Sequence, residues 1–194
     1  MRDVRHTAIV VKAADYKESD KTIRLFTLDG GIIQAVLKGV KKPGAKLKFA
    51  AQPFAFCEFS LTERNGFYTV TGAVPSESFY ALSGDHDSFV CASLMLEASD
   101  RAVSTVPSPA VFVYLLKLFK AILYGGASPY VAAALLLTRL TENAGYATKN
   151  LPGATPESLP EAALNPEYAP LLKKAIRDFE KYFDATLVSA RLIT

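Results

Sequence analysis

The feature that most narrows the fold is a change of period near Pro75. Between residues 5 and 71, β-branched and aromatic residues come in short runs broken by glycine, proline and charged residues, the signature of strands. Beyond Pro75 apolar residues recur at helical spacing. Strands first and helices afterwards predict an α+β chain with the two kinds of structure in separate domains, one over residues 1–80 and an all-α one over 81–194.

Five strand-like runs fall at residues 5–13, 21–28, 31–38, 53–62 and 66–72. In the fourth, Ala55, Cys57, Phe59 and Leu61 alternate with Phe56, Glu58, Ser60 and Thr62, as in a sheet with one buried face. Asp29-Gly30-Gly31 and Asn65-Gly66 supply the positive-φ residues of tight hairpins. Five short antiparallel strands in so little chain predict a small barrel. The OB fold is the five-stranded solution that also binds oligonucleotides, and an SH3-like barrel fits the pattern nearly as well.

In the second part, Asp85 or Asp87 is placed to cap a helix running to residue 101. Ser108-Pro109 and Ser128-Pro129 each read as an N-cap followed by proline at the first helical position, and Gly125-Gly126 and Gly145 end the helices that follow. The helix from Ser128 is apolar almost all round, which predicts the buried centre of a bundle. Residues 147–166 hold Pro152, Pro156, Pro160 and Pro166 with few large apolar groups and read as an exposed connector. A last amphipathic helix presents Leu171, Leu172, Ala175, Ile176, Phe179, Tyr182 and Phe183 to the bundle, with Lys173, Lys174, Arg177, Asp178 and Lys181 in water.

An apolar content of 50% excludes a mainly disordered chain. The apolar runs are too short to cross a bilayer, and Arg2, Asp3, Arg5 and His6 stand where a signal peptide needs an unbroken apolar stretch, so a cytoplasmic protein with no membrane partner is expected. Cys57 and Cys91 each lie alone in an apolar segment, which excludes a disulfide framework or a four-cysteine zinc site and suits buried thiols in a reducing compartment. His6 and His86 fall in different domains without metal-ligand spacing, and Asp85-His86-Asp87 reads as helix capping. Neither a phosphate-binding P-loop, a dinucleotide fingerprint nor a nucleophile elbow occurs. The expectation is a binding protein without catalytic residues, metal or cofactor.

Charge then shows where binding belongs. The net charge of +3 is small, but residues 1–80 carry 12 Lys/Arg against 8 Asp/Glu, whereas residues 81–194 carry 10 against 11. The segment from Lys38 through Lys41, Lys42 and Lys46 to Lys48 places five lysines, two glycines and a proline directly after a strand, with no acidic residue. Ammonium groups neutralise phosphates and release counterions, and glycines let a backbone follow a curved polyanion. Arg5, Lys12, Lys17, Lys21 and Arg24 extend this cationic set over the preceding strands and their connection, where an OB barrel binds. Tyr16, Phe49, Phe67 and Tyr68 are candidates for base stacking. The residues alone leave three readings open: a DNA-binding protein, an RNA-binding OB protein, or a protein-interaction adaptor whose lysine loop is only solvated.

Tyr16-Lys17-Glu18-Ser19-Asp20-Lys21, then Leu25-Phe26-Thr27 and Gly30-Gly31, resembles the N-terminal domain of the RecO family, with its aromatic-x-E-x-D-K step, L-F-T and glycine turn. Lys38-Gly39-Val40-Lys41-Lys42-Pro43 and Gln52-Pro53-Phe54 are similar to that family's basic loop and its Q-P-x return. Leu136-Leu137 with Leu140, Gly145 and Tyr146, and Ser189 with Arg191-Leu192, resemble its later motifs. Many members carry a cysteine-rich zinc-binding insertion after the G-Y step; residues 147–166 contain no cysteine, so zinc is not carried over. The resemblance implies an OB-like barrel that binds single- and double-stranded DNA and anneals complementary strands. It also implies partnership with a RecR-like protein in loading RecA, and a pocket in the helical domain for the C-terminal tail of the single-stranded-DNA-binding protein, with Lys117 and Lys120 as basic neighbours.

Overall fold

A computed structural model describes residues 2–105, 107–147, 155–161 and 165–193. The chain divides into two compact units, Met1–Tyr80 and Ala81–Thr194.

The first unit is a closed barrel of strands β1 (Arg2–Tyr16), β2 (Asp20–Thr27), β3 (Ile32–Leu37), β4 (Ala55–Arg64) and β5 (Phe67–Ser78), ordered β1-β2-β3-β5-β4. Pairing is antiparallel except between β3 and β5, which run parallel through Ala35↔Tyr68 and Val36↔Thr69. That connectivity is the Greek-key barrel of the OB type. β1 closes the barrel by pairing with β4 over Arg2 to Ile9 and with β2 over Ala8 to Tyr16. It is longer than its alternation suggests because a β-bulge between Val10 and Lys12 shifts the phase. Ala8 and Val10 point into the core before the bulge and Ala13 after it, which leaves Lys12 outside, opposite Arg24.

The barrel core joins Ile23, Leu25, Ala35, Leu37, Cys57, Phe59, Leu61 and Val70. Phe59, fully buried, fills the interior with its ring. Asn65 and Gly66, at φ 53° and 79°, close the β4–β5 hairpin with the two left-handed residues that a type I′ turn requires.

In the second unit, α1 (His86–Thr105), α2 (Pro109–Gly125), α3 (Pro129–Asn143) and α4 (Asn165–Phe183) form a bundle. α3 touches the other three helices, and from Pro129 to Thr141 only Arg139 is exposed, as its all-round apolarity predicts. Of the two capping candidates, Asp85 caps α1: its carboxylate accepts the N–H of Ser88 at 2.8 Å. The Ser108 and Ser128 hydroxyls accept the N–H groups of Val111 and Val131. α2 ends on Gly126 at φ 62°.

The connector expected at 147–166 needs correction where it is described; residues 148–154 and 162–164 lie outside the described residues. Thr155 to Glu161 is not simply exposed. Pro156 is buried in a short 3-10 turn, the Pro160 carbonyl accepts the N–H of Ser128 at 2.6 Å, and Ala127 bridges Glu161. Orphan amides at the start of α3 give this polar stretch a place to bind. α4 also begins within the expected connector, at Asn165, because proline is tolerated in a first helical turn; Pro170 lies inside the helix.

Candidate nucleic-acid interface

Two loop ties build the basic corner of the barrel. The β1–β2 turn, Lys17 to Ser19, lies against the start of the β3–β4 loop. The Gly39 N–H donates to Asp20 Oδ1 at 2.7 Å, and the Lys41 N–H donates to the Ser19 carbonyl at 2.9 Å. Gly39 has φ 66°, the left-handed geometry that lets the chain leave β3 and turn back onto Asp20. The Gly39 amide, with Ser19, Lys17 and Lys38 nearby, holds the Asp20 carboxyl below its ordinary range. Lys41 Nζ meets Asp15 Oδ2 at 2.8 Å, and Lys41 together with Lys21 lowers the Asp15 carboxyl as well.

Beside this corner is an open groove of about 430 Å³. Tyr16, Lys17 and Asp20 line it from the β1–β2 turn, Gln34, Val36 and Lys38 from β3 and its exit, and Gly66, Phe67, Tyr68 and Thr69 from the β4–β5 hairpin. The β1–β2 and β4–β5 loops flanking the β2–β3 face are the surface with which OB barrels take oligonucleotides. Phe67 is 79% exposed, so its ring is available to a stacking partner at no cost to the core. Lys17 Nζ lies 5.2 Å from the centroid of the Tyr16 ring. Lys17 itself has φ 55°, a strained conformation for a residue with a side chain.

The ten cationic residues expected to bind do not fall in one place. Lys17 and Lys38 line the groove. Arg24 stands opposite Gln34 of the groove on one side and Lys12 on the other, so a polar row crosses β1, β2 and β3 towards it. The stem of Lys42 lies over Gly39, with Cδ 3.8 Å from where a Cβ would sit. Lys42, Lys46 and Lys48 are exposed on the β3–β4 loop, with Lys48 opening a short 3-10 turn. Lys21 and Lys41 sit with Asp15 at the barrel mouth. Arg5 is apart, in the β1–β4 pairing seven residues before Lys12, where Glu58 lies 3.8 Å from its guanidinium.

Local pattern does not mark Gln34, Val36, Gly66 and Thr69 as lining residues. Only the β2–β3 and β3–β5 registers bring them to Lys17 and Lys38, and short-range pattern carries no such signal. The Asn65-Gly66 hairpin signal was visible, but not that the hairpin borders a groove.

The two cysteines lie apart from this groove. Burial pushes the Cys57 thiol up to about 11 and the Cys91 thiol higher still, so both remain protonated hydrophobes. Among the described residues no group of acidic, histidine and cysteine side chains could hold a metal ion, and no helix is long and apolar enough to cross a membrane. Lys117 pairs with Glu157 at 3.2 Å on the helical unit.

A five-stranded barrel of OB connectivity, with a cationic and aromatic groove between its β1–β2 and β4–β5 loops and a helical unit behind it in sequence, defines an OB-type domain protein. Residues 1–79 match the family described as recombination protein O, N terminal. Over that stretch, less than half of its length, the chain is similar to the RecO family. It is 41% identical over 101 residues to a DNA repair protein RecO of Heliobacterium modesticaldum, covering 52% of this chain and 37% of that one. With the protein of the same description from Desulfitobacterium hafniense it shares 38% over 106 residues, 54% of this chain and 39% of the relative. The corresponding Nocardioides protein is 30% identical over 146 residues, 74% of this chain and 60% of its own length. The matched stretch thus spans well under half the length of the first two relatives.

Proposed function

We propose that this chain is a non-enzymatic DNA-binding protein of recombination and repair, acting in the cytoplasm, whose barrel grips sugar-phosphate chains across the groove. The observation that carries the reading is the meeting of Tyr16, Lys17, Phe67 and Tyr68, from the loop pair that OB barrels use, with Lys38 at the exit of β3. The family match of the barrel supports DNA over other polyanions.

In this reading Lys17 and Lys38 hold phosphates at the groove, while Lys12 and Arg24 extend the track along the strands and Lys21, Lys41, Lys42, Lys46 and Lys48 extend it over the β1–β2 corner and the β3–β4 loop. Arg5 contributes at most to long-range attraction. Base faces stack on the exposed aromatics, which suits single strands of any sequence. Annealing follows from charge: two strands that repel in water approach on one cationic surface. No nucleophile is needed. A RecR-like protein, RecA loading and the tail of the single-stranded-DNA-binding protein enter as the partners of this role, the tail on the helical unit.

The test is the fluorescence anisotropy of labelled single-stranded DNA titrated with the full chain over a range of salt. Affinity falls as a power of salt concentration, by about 0.7 in log–log slope for each phosphate neutralised. RNA of the same sequence competes less well. Salt-independent retention, or retention unchanged when Lys17 and Lys38 are both replaced by Glu, overturns the reading in favour of an adaptor role; preferential binding of RNA moves it to RNA processing.

A further inference from the structure

The two carboxylates at the basic corner do different work. Asp20 is tied to a backbone amide, that of Gly39 at 2.7 Å. Asp15 holds only side chains: it stands opposite Lys21 in the β1–β2 register and meets Lys41 Nζ at 2.8 Å. The Asp15 side chain is 65% exposed and that of Lys41 34%, so the pair sits in water, where ion pairs are weak and exchange readily.

The loop does not depend on this pair. The Lys41 N–H is held by the Ser19 carbonyl and the Gly39 N–H by Asp20, so the Lys41 side chain can change partner while its backbone stays in place. Asp15 also adjoins Tyr16, which lines the groove. A carboxylate offers an ammonium group what a phosphodiester offers: negative oxygens at hydrogen-bond distance. A nucleic-acid strand brings in addition the release of its condensed counterions, which an aspartate lacks.

We propose that Asp15 is an internal phosphate mimic: it occupies Lys41 in the free protein, is displaced by a backbone phosphate of a bound strand, and thereby sets the threshold affinity of the barrel. The inference rests on the reading of the barrel as a nucleic-acid binder. It also gives selectivity a physical basis. A lone anion gains too little to displace Asp15, whereas a phosphate that arrives with neighbours already seated at Lys17 and Lys38 displaces it at high local concentration.

The experiment measures the affinity of labelled single-stranded DNA against salt for the wild-type chain, Asp15→Asn, Lys41→Met, the double variant, and Glu18→Gln as a control of equal charge change three residues away in the adjoining turn. The expected result is severalfold tighter binding by Asp15→Asn at an unchanged salt slope, because Lys41 meets a phosphate in both complexes. The gain vanishes in the Lys41→Met background, and Glu18→Gln gives much less. A gain that survives loss of Lys41, an equal gain from Glu18→Gln, or no gain at all overturns the proposal while leaving the binding reading intact. Absence of salt-dependent binding by the wild type removes both. A second measurement needs no variant. The Asp15 carboxyl, followed by NMR in the wild-type chain, titrates below its ordinary range when free and moves up towards it when DNA is bound; an unchanged titration overturns the proposal.

Discussion

Asp20 and Gly39, nineteen residues apart, are joined by a 2.7 Å hydrogen bond from the glycine amide to the aspartate carboxylate. The bond explains why an acidic residue opens β2 and a glycine follows β3: each is half of the tie that fixes the β1–β2 turn against the β3–β4 loop. Asp20→Ala is expected to accelerate hydrogen exchange at the Gly39 amide and to broaden the Lys38 and Lys41 resonances, without unfolding the barrel core. The pH dependence follows from the lowered Asp20 carboxyl. A carboxyl depressed on folding contributes stability in full above its unfolded value near 3.8, and loses it as pH falls through the lower folded value. Exchange at Gly39 should therefore stay protected through the ordinary carboxylate range and rise only below it. Loss of protection near neutral pH would count against the tie.

Lys17 places function and stability in opposition. Its φ of 55° costs about 1–2 kcal/mol for a residue with a Cβ, and glycine relieves that cost while removing an ammonium group from the groove. Lys17→Gly is expected to raise barrel stability by up to about 1 kcal/mol in urea unfolding, and to lower the salt slope of single-strand binding by about 0.7. A variant that is less stable, or that binds as before, would contradict the placement of this residue.

Phe67 is exposed, so its loss should not disturb the fold. Phe67→Ala is expected to keep the wild-type melting temperature and to weaken single-stranded DNA binding by about 1–3 kcal/mol, the worth of one stacked base. Because the change removes no charge, the salt slope should not move. A fall in slope together with affinity would show the ring to be positioning a lysine rather than stacking.

Asp85 gives a test in the helical unit. Its carboxylate accepts the Ser88 N–H, and those hydrogen bonds, with His86 nearby, hold its carboxyl below the ordinary range. Asp85→Ala is expected to destabilise α1 by about 1 kcal/mol at neutral pH. As with Asp20, the contribution is present above the unfolded carboxyl value and lost as pH falls through the lowered one, so the difference between wild type and variant, read by circular dichroism in urea, should shrink at acid pH.

Much of this architecture is legible before any coordinates. The strands declare themselves through Ala55, Cys57, Phe59 and Leu61, and the helix ends through Ser108, Ser128 and Gly126, because alternation and capping are set by neighbours in sequence. β1 is underestimated at both ends because the bulge between Val10 and Lys12 interrupts its alternation. The site is legible only by composition. Lysine density marks one corner of the barrel, but whether a given lysine faces a groove, a carboxylate or open water depends on register. Lys17 and Lys38 reach the groove, Arg5 lies beside Glu58, and Lys41 is taken up by Asp15. These contacts join residues 21 to 53 positions apart, beyond the reach of any local pattern.

The parallel seam between β3 and β5 is only two residue pairs long, Ala35↔Tyr68 and Val36↔Thr69, and the groove lies directly over it. The thinnest joint of the barrel is thus the floor of its candidate binding surface. Anything seated there spans both strands and acts as a rivet, so occupancy should slow breathing of the seam and be felt at Leu37 and Val70, which no ligand touches. In such a molecule, engagement at the rim and cohesion of the wall are one equilibrium, and a filled groove hardens the vessel that holds it.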